Sequence, residues 1–247
     1  MNKITLVAST GIKNAFRIKS GMAILFSVAL MCVAGVAFLM CVLLIAPEVK
    51  SAMPDRAALE RHLGIILYAS SLISVGVAFN SLVFQTMVRE KARGNLAALM
   101  ATPLKLSDIW LGKSLALFVP GMALAFVLTL LSLIVVNAVY FLPSPGFIAG
   151  WQILVDSLIL VPGMYLLFGM LIHIVGLTTK PVTGNVIAQI YLPVIANVMI
   201  QLTVRDVISA SSWQFVLLNL GLLLVIGITI LVLKPRLSPE RVMLSAG

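Results

Sequence analysis

The chain has 247 residues, of which 61% are hydrophobic and only 10% are charged, and its formal net charge is +9. Soluble domains usually carry about 25% charged residues, so this composition excludes an ordinary soluble enzyme or binding domain. Nucleic-acid binding would need a folded basic module, whereas the basic residues here lie between long apolar runs. We therefore interpret the positive charge as anchoring charge at a membrane surface, and we expect no nucleic-acid partner.

Residues 1–20 predict a basic amphipathic helix that lies in the membrane interface. Apolar side chains recur there at helical spacing from Ile4 to Phe16, as is typical of interfacial helices. The basic residues of this segment, which no acid accompanies, are Lys3, Lys13, Arg17 and Lys19. A flexible basic tail is the other interpretation of the same composition.

Six long apolar runs follow, and each can cross a hydrocarbon layer of about 30 Å. They cover residues 21–46, 63–88, 109–139, 150–177, 182–204 and 213–233. The first run is longer than the core of a signal peptide, which has about 7–15 residues, so we expect it to be retained. The chain is thus predicted to be an all-α, polytopic membrane protein whose residues 1–247 form a single transmembrane domain with six transmembrane helices.

The distribution of Lys and Arg predicts the orientation of these helices. Thirteen of the 17 lie in the N-terminal segment, the second and fourth loops and the C-terminal tail. The four on the other side are Lys50, Arg56, Arg61 and Arg205. Because basic loops stay in the cytoplasm, both termini are predicted to be cytoplasmic, in agreement with an even number of spans. The tryptophans that fall at predicted span ends, where we expect an interfacial aromatic belt, are Trp110, Trp151 and Trp213.

The longest polar interruption, which we call the elbow, covers residues 89–113. Residues 89–100 predict a short helix with one apolar face, because their apolar and charged residues separate at helical spacing. Pro103 ends this helix, and Ser107 or Asp108 can cap the next span. A short helix joined to two spans can transmit force, and its apolar face could enter a partner's groove. The other interpretation is a loop whose charges only follow the positive-inside rule, and composition alone favours it.

Four segments of the elbow carry a pattern: Arg89-Glu90-Lys91, Gly94-Asn95-Leu96, Leu99-Met100-Ala101-Thr102-Pro103-Leu104 and Gly112-Lys113. Together they resemble the cytoplasmic loop of ABC type-2 permeases, the membrane subunits of many drug, peptide, lipid and polysaccharide exporters. Asn95 stands where that family usually has Thr, a mild departure. The resemblance is specific over the elbow, and the number, size and orientation of the spans extend it loosely to the whole chain.

The resemblance implies a permease of the plasma membrane, in a bacterial or archaeal cell, that contacts membrane lipid and dimerises with a second copy of itself or with a related permease. It also implies a cytoplasmic ABC ATPase subunit as partner, with ATP and Mg on that subunit and no cofactor on this chain. The residues that it places at the ATPase are Arg89, Glu90, Arg93, Gly94, Leu96, Leu99, Met100 and Pro103. Residues 89–104 would then be the coupling helix.

Gly112-Lys113-Ser114 resembles the end of a P-loop, but that motif also needs a glycine at position 107, where Ser107 stands. The motif further needs a strand ahead of it, whereas here a predicted membrane span follows. We find no other nucleotide motif and no catalytic one. We therefore expect this chain not to be an enzyme.

The fifth predicted span carries amide side chains at four-residue steps. Each such step leaves about 40° of rotation on an α-helix, so the amides form one slowly winding stripe. The residues of this amide stripe are Asn185, Gln189, Asn197 and Gln201, with Pro193 in register among them. A stripe of this kind avoids lipid, and it either lines a polar substrate path or hydrogen-bonds neighbouring helices. Both interpretations remain open.

Two ionisable residues lie within the fourth predicted span. Asp156 is about one turn from the outer end of that span, and an acid inside a span is a functional candidate by default. At this shallow depth we expect Asp156 to be a hydrated interfacial anchor. His173, near the other end, is expected to be a hydrogen-bonded packing residue.

The sequence favours the transmembrane subunit of an ATP-driven ABC exporter. Such a subunit would move an amphipathic or hydrophobic substrate, such as a peptide, drug or lipid, by alternating access. An ion-coupled secondary transporter is one alternative, although the spans hold essentially one acid. A membrane scaffold or sensor that recruits a cytoplasmic partner through the elbow is another.

Overall fold

The computed structural model is helical throughout the part of the chain that it describes. This part comprises residues 3–17, 19–51, 53–92, 101–142, 146–179, 181–238, 240 and 242. Within it, side chains are not described for residues 15, 17, 19–20, 80–92, 117, 181–185, 187–188 and 191–192. No strand occurs in these ranges, and the predicted all-α fold class is confirmed.

The helices agree closely with the predicted elements. They are α1 (Lys3–Arg17), α2 (Lys19–Met40), α3 (Ala46–Val49), α4 (Arg56–Ala92), α5 (Leu106–Val136), α6 (Trp151–Val155), α7 (Val161–Thr178), α8 (Pro181–Val204) and α9 (Trp213–Leu233). Three π-helical segments extend or join them, at Cys41–Ile45, Asn137–Phe141 and Asp156–Leu160. A 3₁₀ turn, Lys234–Arg236, follows α9.

Five stretches of the described chain are long and apolar enough to cross a membrane. They are Gly21–Val49, Arg56–Phe79, Leu106–Phe141, Trp151–Thr178 and Trp213–Arg236, and each overlaps a predicted span. The fifth predicted span is helix α8, of 24 residues, but only its part Pro193–Val204 qualifies, as a shorter apolar helix. The chain is therefore a polytopic, membrane-embedded protein. Six spans and cytoplasmic termini stay predictions.

Helix α4 lies at the centre of the bundle and packs against α2, α5, α7 and α8. The spans differ in how much of their most apolar stretch of 18 residues is buried. This buried share is 78% for Arg56–Phe79, against 22% for Gly21–Val49 and 17% for Trp213–Arg236. Aromatic pairs fill the interior around α4. The Tyr68 and Phe215 rings meet edge to face at a centroid distance of 4.9 Å, and Phe79 meets Tyr165 likewise at 5.6 Å.

A seam of serines allows α4 and α5 to approach closely. The Ser70 hydroxyl lies 3.1 Å from the Ser132 hydroxyl, and each also bonds a backbone carbonyl of its own helix. Ser74 repeats the pattern one turn further along α4, where its hydroxyl donates to the Ser70 carbonyl at 2.6 Å. Small residues of this kind let helix backbones pack tightly where there is no water to drive association.

The connection between α5 and α6 is pinned by one amide side chain. The Asn137 Nδ2 donates to the Ile148 carbonyl at 3.0 Å, and its Oδ1 accepts the Ile148 N–H at 2.7 Å. The Gly146 N–H also donates to the Phe141 carbonyl, at 2.8 Å. Gly146 adopts φ +101°, a conformation that favours glycine. The chain is thus fixed on both sides of residues 143–145.

Candidate functional site

The elbow begins as a direct continuation of α4. Helix α4 runs without interruption to Ala92. Residues 89–92 therefore continue α4, whereas the sequence predicted that a separate short helix begins at Arg89. The physical reason is that the segment Arg89-Glu90-Lys91-Ala92 consists of good helix formers and has no breaker. Side chains of Arg89 and Glu90 are not described. Five predicted contact residues, Arg93, Gly94, Leu96, Leu99 and Met100, lie outside the described residues.

The chain re-enters the described part at Ala101 and begins α5 within five residues. Lys105 has an extended backbone, and its N–H donates to the Asp108 carboxylate at 3.3 Å. Asp108 therefore caps the first turn of α5, where its negative charge also suits the helix dipole. The N-cap position is Lys105, so neither Ser107 nor Asp108 occupies it as predicted, and Asp108 contributes from the third helical position.

Helix α1 packs lengthwise against the first turns of α5, with glycine at the two closest points. A β-carbon at Gly112 would lie 2.6 Å from the Val7 Cβ, and one at Gly11 would lie 2.6 Å from the Ala116 Cβ. Real β-carbons do not approach so closely, so glycine on each helix is required for this contact. The Gly112-Lys113-Ser114 segment accordingly lies inside helix α5, and Gly112 serves helix packing.

The N-terminus of α1 is tied to the short segment that precedes α5. The Lys3 Nζ donates to the Pro103 carbonyl at 2.9 Å. Pro103 cannot continue a helix, and the carbonyls that precede a new helix need outside donors. Lys3 supplies one such donor across about a hundred residues of sequence. Helix α1 therefore contacts both the segment that contains Pro103 and helix α5, which begins after it.

A buried hydrogen-bonded cluster joins α5 to α7 at this end of the bundle. The Trp110 indole N–H donates to the Met170 carbonyl at 3.0 Å, and the Ser114 hydroxyl donates to the Trp110 carbonyl at 2.9 Å. The same hydroxyl lies 2.8 Å from Nδ1 of His173. With its hydrogen directed to Trp110, Ser114 accepts from the Nδ1–H tautomer of His173. We call Trp110, Ser114, Met170 and His173 the elbow-end cluster.

The elbow-end cluster corrects one expectation and confirms another. Trp110 was expected in an interfacial belt, but it is only 3% exposed and its N–H bonds a carbonyl of α7. Its ring packs with Ile174, Leu177, Ile230 and the fully buried Val242, which together exclude water from it. Trp151 and Trp213 are exposed, at 76% and 57%, as a belt requires. His173 is the predicted packing residue, since it is buried and hydrogen-bonded.

The described part of the amide stripe on α8 faces the outside of the helical bundle. Gln189, Asn197 and Gln201 are exposed, as is Pro193, while Met199 on the opposite side of α8 is 2% exposed. Gln201 accepts a hydrogen bond from Arg205 at 3.1 Å. The side chain of Asn185 is not described. Among the described residues, the three exposed amides make no hydrogen bond to another helix.

A second group of buried polar residues was missed by sequence reasoning. Asp156, expected to be hydrated, is only 1% exposed, because α4 and α9 cover it. Its neighbours are Tyr68 and Asn219, whose side chains hydrogen-bond each other at 2.8 Å. The sequence signal that could have found them is a lone Asn in the apolar run of α9 and a lone Tyr in that of α4.

No family model matches the sequence, and neither the curated proteins nor the solved structures include a match. Within the described ranges, no group of three His, Cys, Asp or Glu side chains could hold a metal ion. The resemblance of the elbow to ABC type-2 permeases therefore rests on the sequence alone. The packing of α1 against α5 is a separate observation about the structure.

Proposed function

We propose that this chain is the transmembrane permease subunit of an ATP-driven exporter, with the elbow as its contact to a separate cytoplasmic ATPase. The observation that carries the proposal is the docking of α1 on α5, with Lys3 hydrogen-bonded to Pro103 of the elbow. A loop that served only for charge balance would have no need of such a fixed support. Here the elbow is joined to α4 on one side and braced by α1 on the other.

The described contacts form one continuous path from the elbow into the bundle. Motion at Pro103 reaches α1 through Lys3 and reaches α5 directly along the chain. Helix α5 passes it to α7 through Trp110 and through Ser114 with His173. Packed, hydrogen-bonded elements move as rigid bodies, which is how an ATPase stroke would tilt the spans between two states. Alternating access of an amphipathic or hydrophobic substrate, such as a peptide, drug or lipid, follows from that tilt.

The exposed amide stripe supports a dimer. Polar amides on a membrane helix avoid hydrocarbon, because an unsatisfied amide there loses its hydrogen bonds. Gln189 and Asn197 are left exposed by the described part of the chain. A second copy of this chain, or a related permease, would give the stripe a facing surface, and the amides would then line a polar path or bond across the interface.

The proposed placement follows the distribution of basic residues. Six spans, with α8 as the fifth, put both termini and the elbow in the cytoplasm of a bacterial or archaeal cell. ATP and Mg would bind on the partner, and this chain would contribute lipid contacts, the substrate path and the elbow.

The test is affinity purification of the tagged full chain from cells that express it natively, with bound proteins identified by mass spectrometry. We expect an ATPase with Walker motifs in stoichiometric amount. The double substitution Glu90→Ala with Leu96→Ala should uncouple ATP hydrolysis from export or release the ATPase. The matched control is Glu60→Ala with Leu43→Ala, at the other end of the bundle, which should do neither. Recovery of no ATPase with the unaltered chain would overturn the proposal.

A further inference from the structure

A carboxyl group inside the bundle has no hydrogen-bond partner among the residues that the structure describes. Asp156 opens the π-helical segment Asp156–Leu160 and is 1% exposed, within the span Trp151–Thr178. Neither Oδ1 nor Oδ2 accepts a hydrogen bond from any residue that the structure describes. Single π-helical turns within α-helices occur frequently at functional sites, since they reorient a side chain relative to the helix. Buried polar groups in native proteins are nearly always paired, so this carboxyl needs an explanation.

The polar neighbours of Asp156 donate their hydrogen bonds to other groups. The Tyr68 hydroxyl donates its one hydrogen to the Asn219 Oδ1 at 2.8 Å, and the Asn219 Nδ2 donates to the Phe215 carbonyl at 3.1 Å. The Asn219 amide lies beside the Asp156 carboxyl and interacts with it, but among the described residues neither carboxyl oxygen meets the full geometry of a hydrogen bond. Asp156 therefore has polar neighbours, but none of the described ones donates a hydrogen bond to its carboxyl group.

Two further buried hydroxyl groups, one next to Asp156 in the chain and one on α4, also lack hydrogen-bond partners among the described residues. Ser157 follows Asp156 in the chain and is 1% exposed, and Ser71 is fully buried. Ser71 lies three residues from Tyr68, on the same side of α4, and Tyr68 interacts with Asp156. The Oγ atoms of both serines lack hydrogen-bond partners among the described residues. We call Asp156, Ser157, Tyr68, Ser71 and Asn219 the Asp156 cluster; its side-chain atoms that make no hydrogen bond to any described residue are all oxygens.

No basic side chain in the described part of the chain neutralises Asp156. The recorded ion pairs there are Arg56 with Glu60 and Arg61 with Asp206. Helix α9 contains no ionisable residue. On α4 the ionisable neighbour is Tyr68. The ionisable residues of α5 and α7 lie nearer the elbow, and they are Asp108, Lys113, Tyr165 and His173.

An ionised carboxylate in this apolar setting, without a countercharge, is too unfavourable to persist. A positive ion must therefore accompany it. Oxygen-only ligand sets, made of carboxylate, hydroxyl and amide oxygens, suit small hard cations and do not suit soft metals. We propose that the Asp156 cluster is a binding site for one small hard monovalent cation, either Na⁺ or H⁺. Asp156 supplies the negative charge, Ser157 and Ser71 supply oxygen ligands or acceptors, and the Tyr68–Asn219 hydrogen bond holds the wall of the site.

This inference does not depend on the proposed ATPase coupling, because it concerns residues remote from the elbow. Its test uses the purified full chain in lipid nanodiscs. The thermal unfolding midpoint is measured against NaCl, with choline chloride keeping the ionic strength constant. A ligand that binds only the folded state raises this midpoint as its concentration rises. In parallel, infrared spectroscopy over a pH series detects the carbonyl band of a protonated carboxylic acid.

The variants are chosen to separate an ion site from a structural acid. Asp156→Asn removes the charge and keeps the shape, so it should abolish both the Na⁺-dependent shift and the carboxylic-acid band. Ser157→Ala keeps the charge and should raise the Na⁺ concentration at half-effect, or shift the pH at which the band disappears. Asp55→Asn, an exposed carboxylate at the start of α4, is the matched control and should leave both readouts as in the unaltered chain.

Each outcome decides the proposal. A Na⁺-dependent midpoint that Asp156→Asn abolishes identifies Na⁺ as the ion. A midpoint indifferent to Na⁺, together with an acid band that disappears at high pH and is absent in Asp156→Asn, identifies H⁺. If Asp156→Asn does not fold, the titrations of the unaltered chain and of Ser157→Ala decide alone. An unaltered chain with neither response, or an Asp156→Asn variant that retains both, would overturn the site.

Discussion

The elbow-end cluster and the Asp156 cluster are both buried, polar and built across helices, yet they differ in completeness. In the elbow-end cluster, Trp110, Ser114 and His173 all have partners between 2.8 and 3.0 Å. In the Asp156 cluster, both carboxylate oxygens and the Ser157 hydroxyl have no hydrogen-bond partner in the described part of the chain. A satisfied network holds helices together and requires nothing more. An incomplete one, kept inside an apolar bundle, is where we propose that a small cation binds.

The largest expected effect comes from removing the centre of the satisfied cluster. Trp110→Ala deletes a buried ring and leaves the Met170 carbonyl without its donor, so the free energy of unfolding should fall by about 3–5 kcal/mol. Denaturant unfolding in detergent measures this change. Trp213→Ala is the control, because Trp213 is 57% exposed and its loss should change stability little. Equal effects of the two substitutions would show that Trp110 is not part of a packed cluster.

The next effect concerns the support of the elbow end by α1. Gly112→Ala places a methyl group against Val7, and overpacking of this kind should lower stability by about 1–3 kcal/mol or displace α1. Gly35→Ala is the control, since nothing lies within 4 Å of a β-carbon there, and a helical Gly→Ala change should stabilise by about 0.5–1 kcal/mol. The same unfolding assay compares the two. A neutral Gly112→Ala would contradict the close contact of α1 with α5.

The sharpest test of the comparison sets one substitution in each cluster against the other. Ser114→Ala removes a satisfied hydroxyl and leaves His173 unpaired, so stability should fall by about 1–3 kcal/mol. Asp156→Asn removes an unpartnered acid, so in Na⁺-free buffer at alkaline pH stability should instead rise, by about 1–3 kcal/mol. Thermal unfolding of both variants gives the two signs. The same sign for both would remove the distinction between the clusters.

The smallest effect on stability is expected at the amide stripe. Gln189 and Asn197 are exposed, so Gln189→Leu and Asn197→Leu should change the unfolding free energy by less than about 0.5 kcal/mol. Transport should nevertheless fall while the amount of protein in the membrane stays the same, as measured by efflux of a hydrophobic fluorescent dye and by immunoblot. Val198→Leu, a neighbouring exposed apolar position, is the control. A parallel loss of expression and efflux would favour an assembly role over a substrate path.

Sequence reasoning placed the helices well because the apolar runs themselves determine them. The predicted run 213–233 coincides with α9, and 182–204 differs from α8 by one residue. The predicted start of a new helix at the elbow was wrong. The sequence changes there from apolar to charged residues, but the helix does not end at that change. Helix α4 continues to Ala92, because helix propensity does not depend on that change.

The burial of single residues was harder to predict than the helices. Trp110 and Asp156 both lie near the ends of apolar runs, so their position in sequence favoured water contact. Their burial depends on residues far away in the chain, Val242 for Trp110 and Asn219 for Asp156. No pattern within one helix carries that information, since it arises only when the helices assemble.

Hydrogen bonds join Asn137 to Ile148 and Gly146 to Phe141. Both ends of the connection between α5 and α6 are therefore held in place, whatever the length of the residues between them. An epitope inserted at residues 143–145 would enter between two anchored points, and lengthening a loop adds entropy only slowly. This connection is therefore a place for an antibody tag that leaves the bundle undisturbed. Antibody access to that tag in intact and in permeabilised cells would establish directly which face of the membrane it occupies.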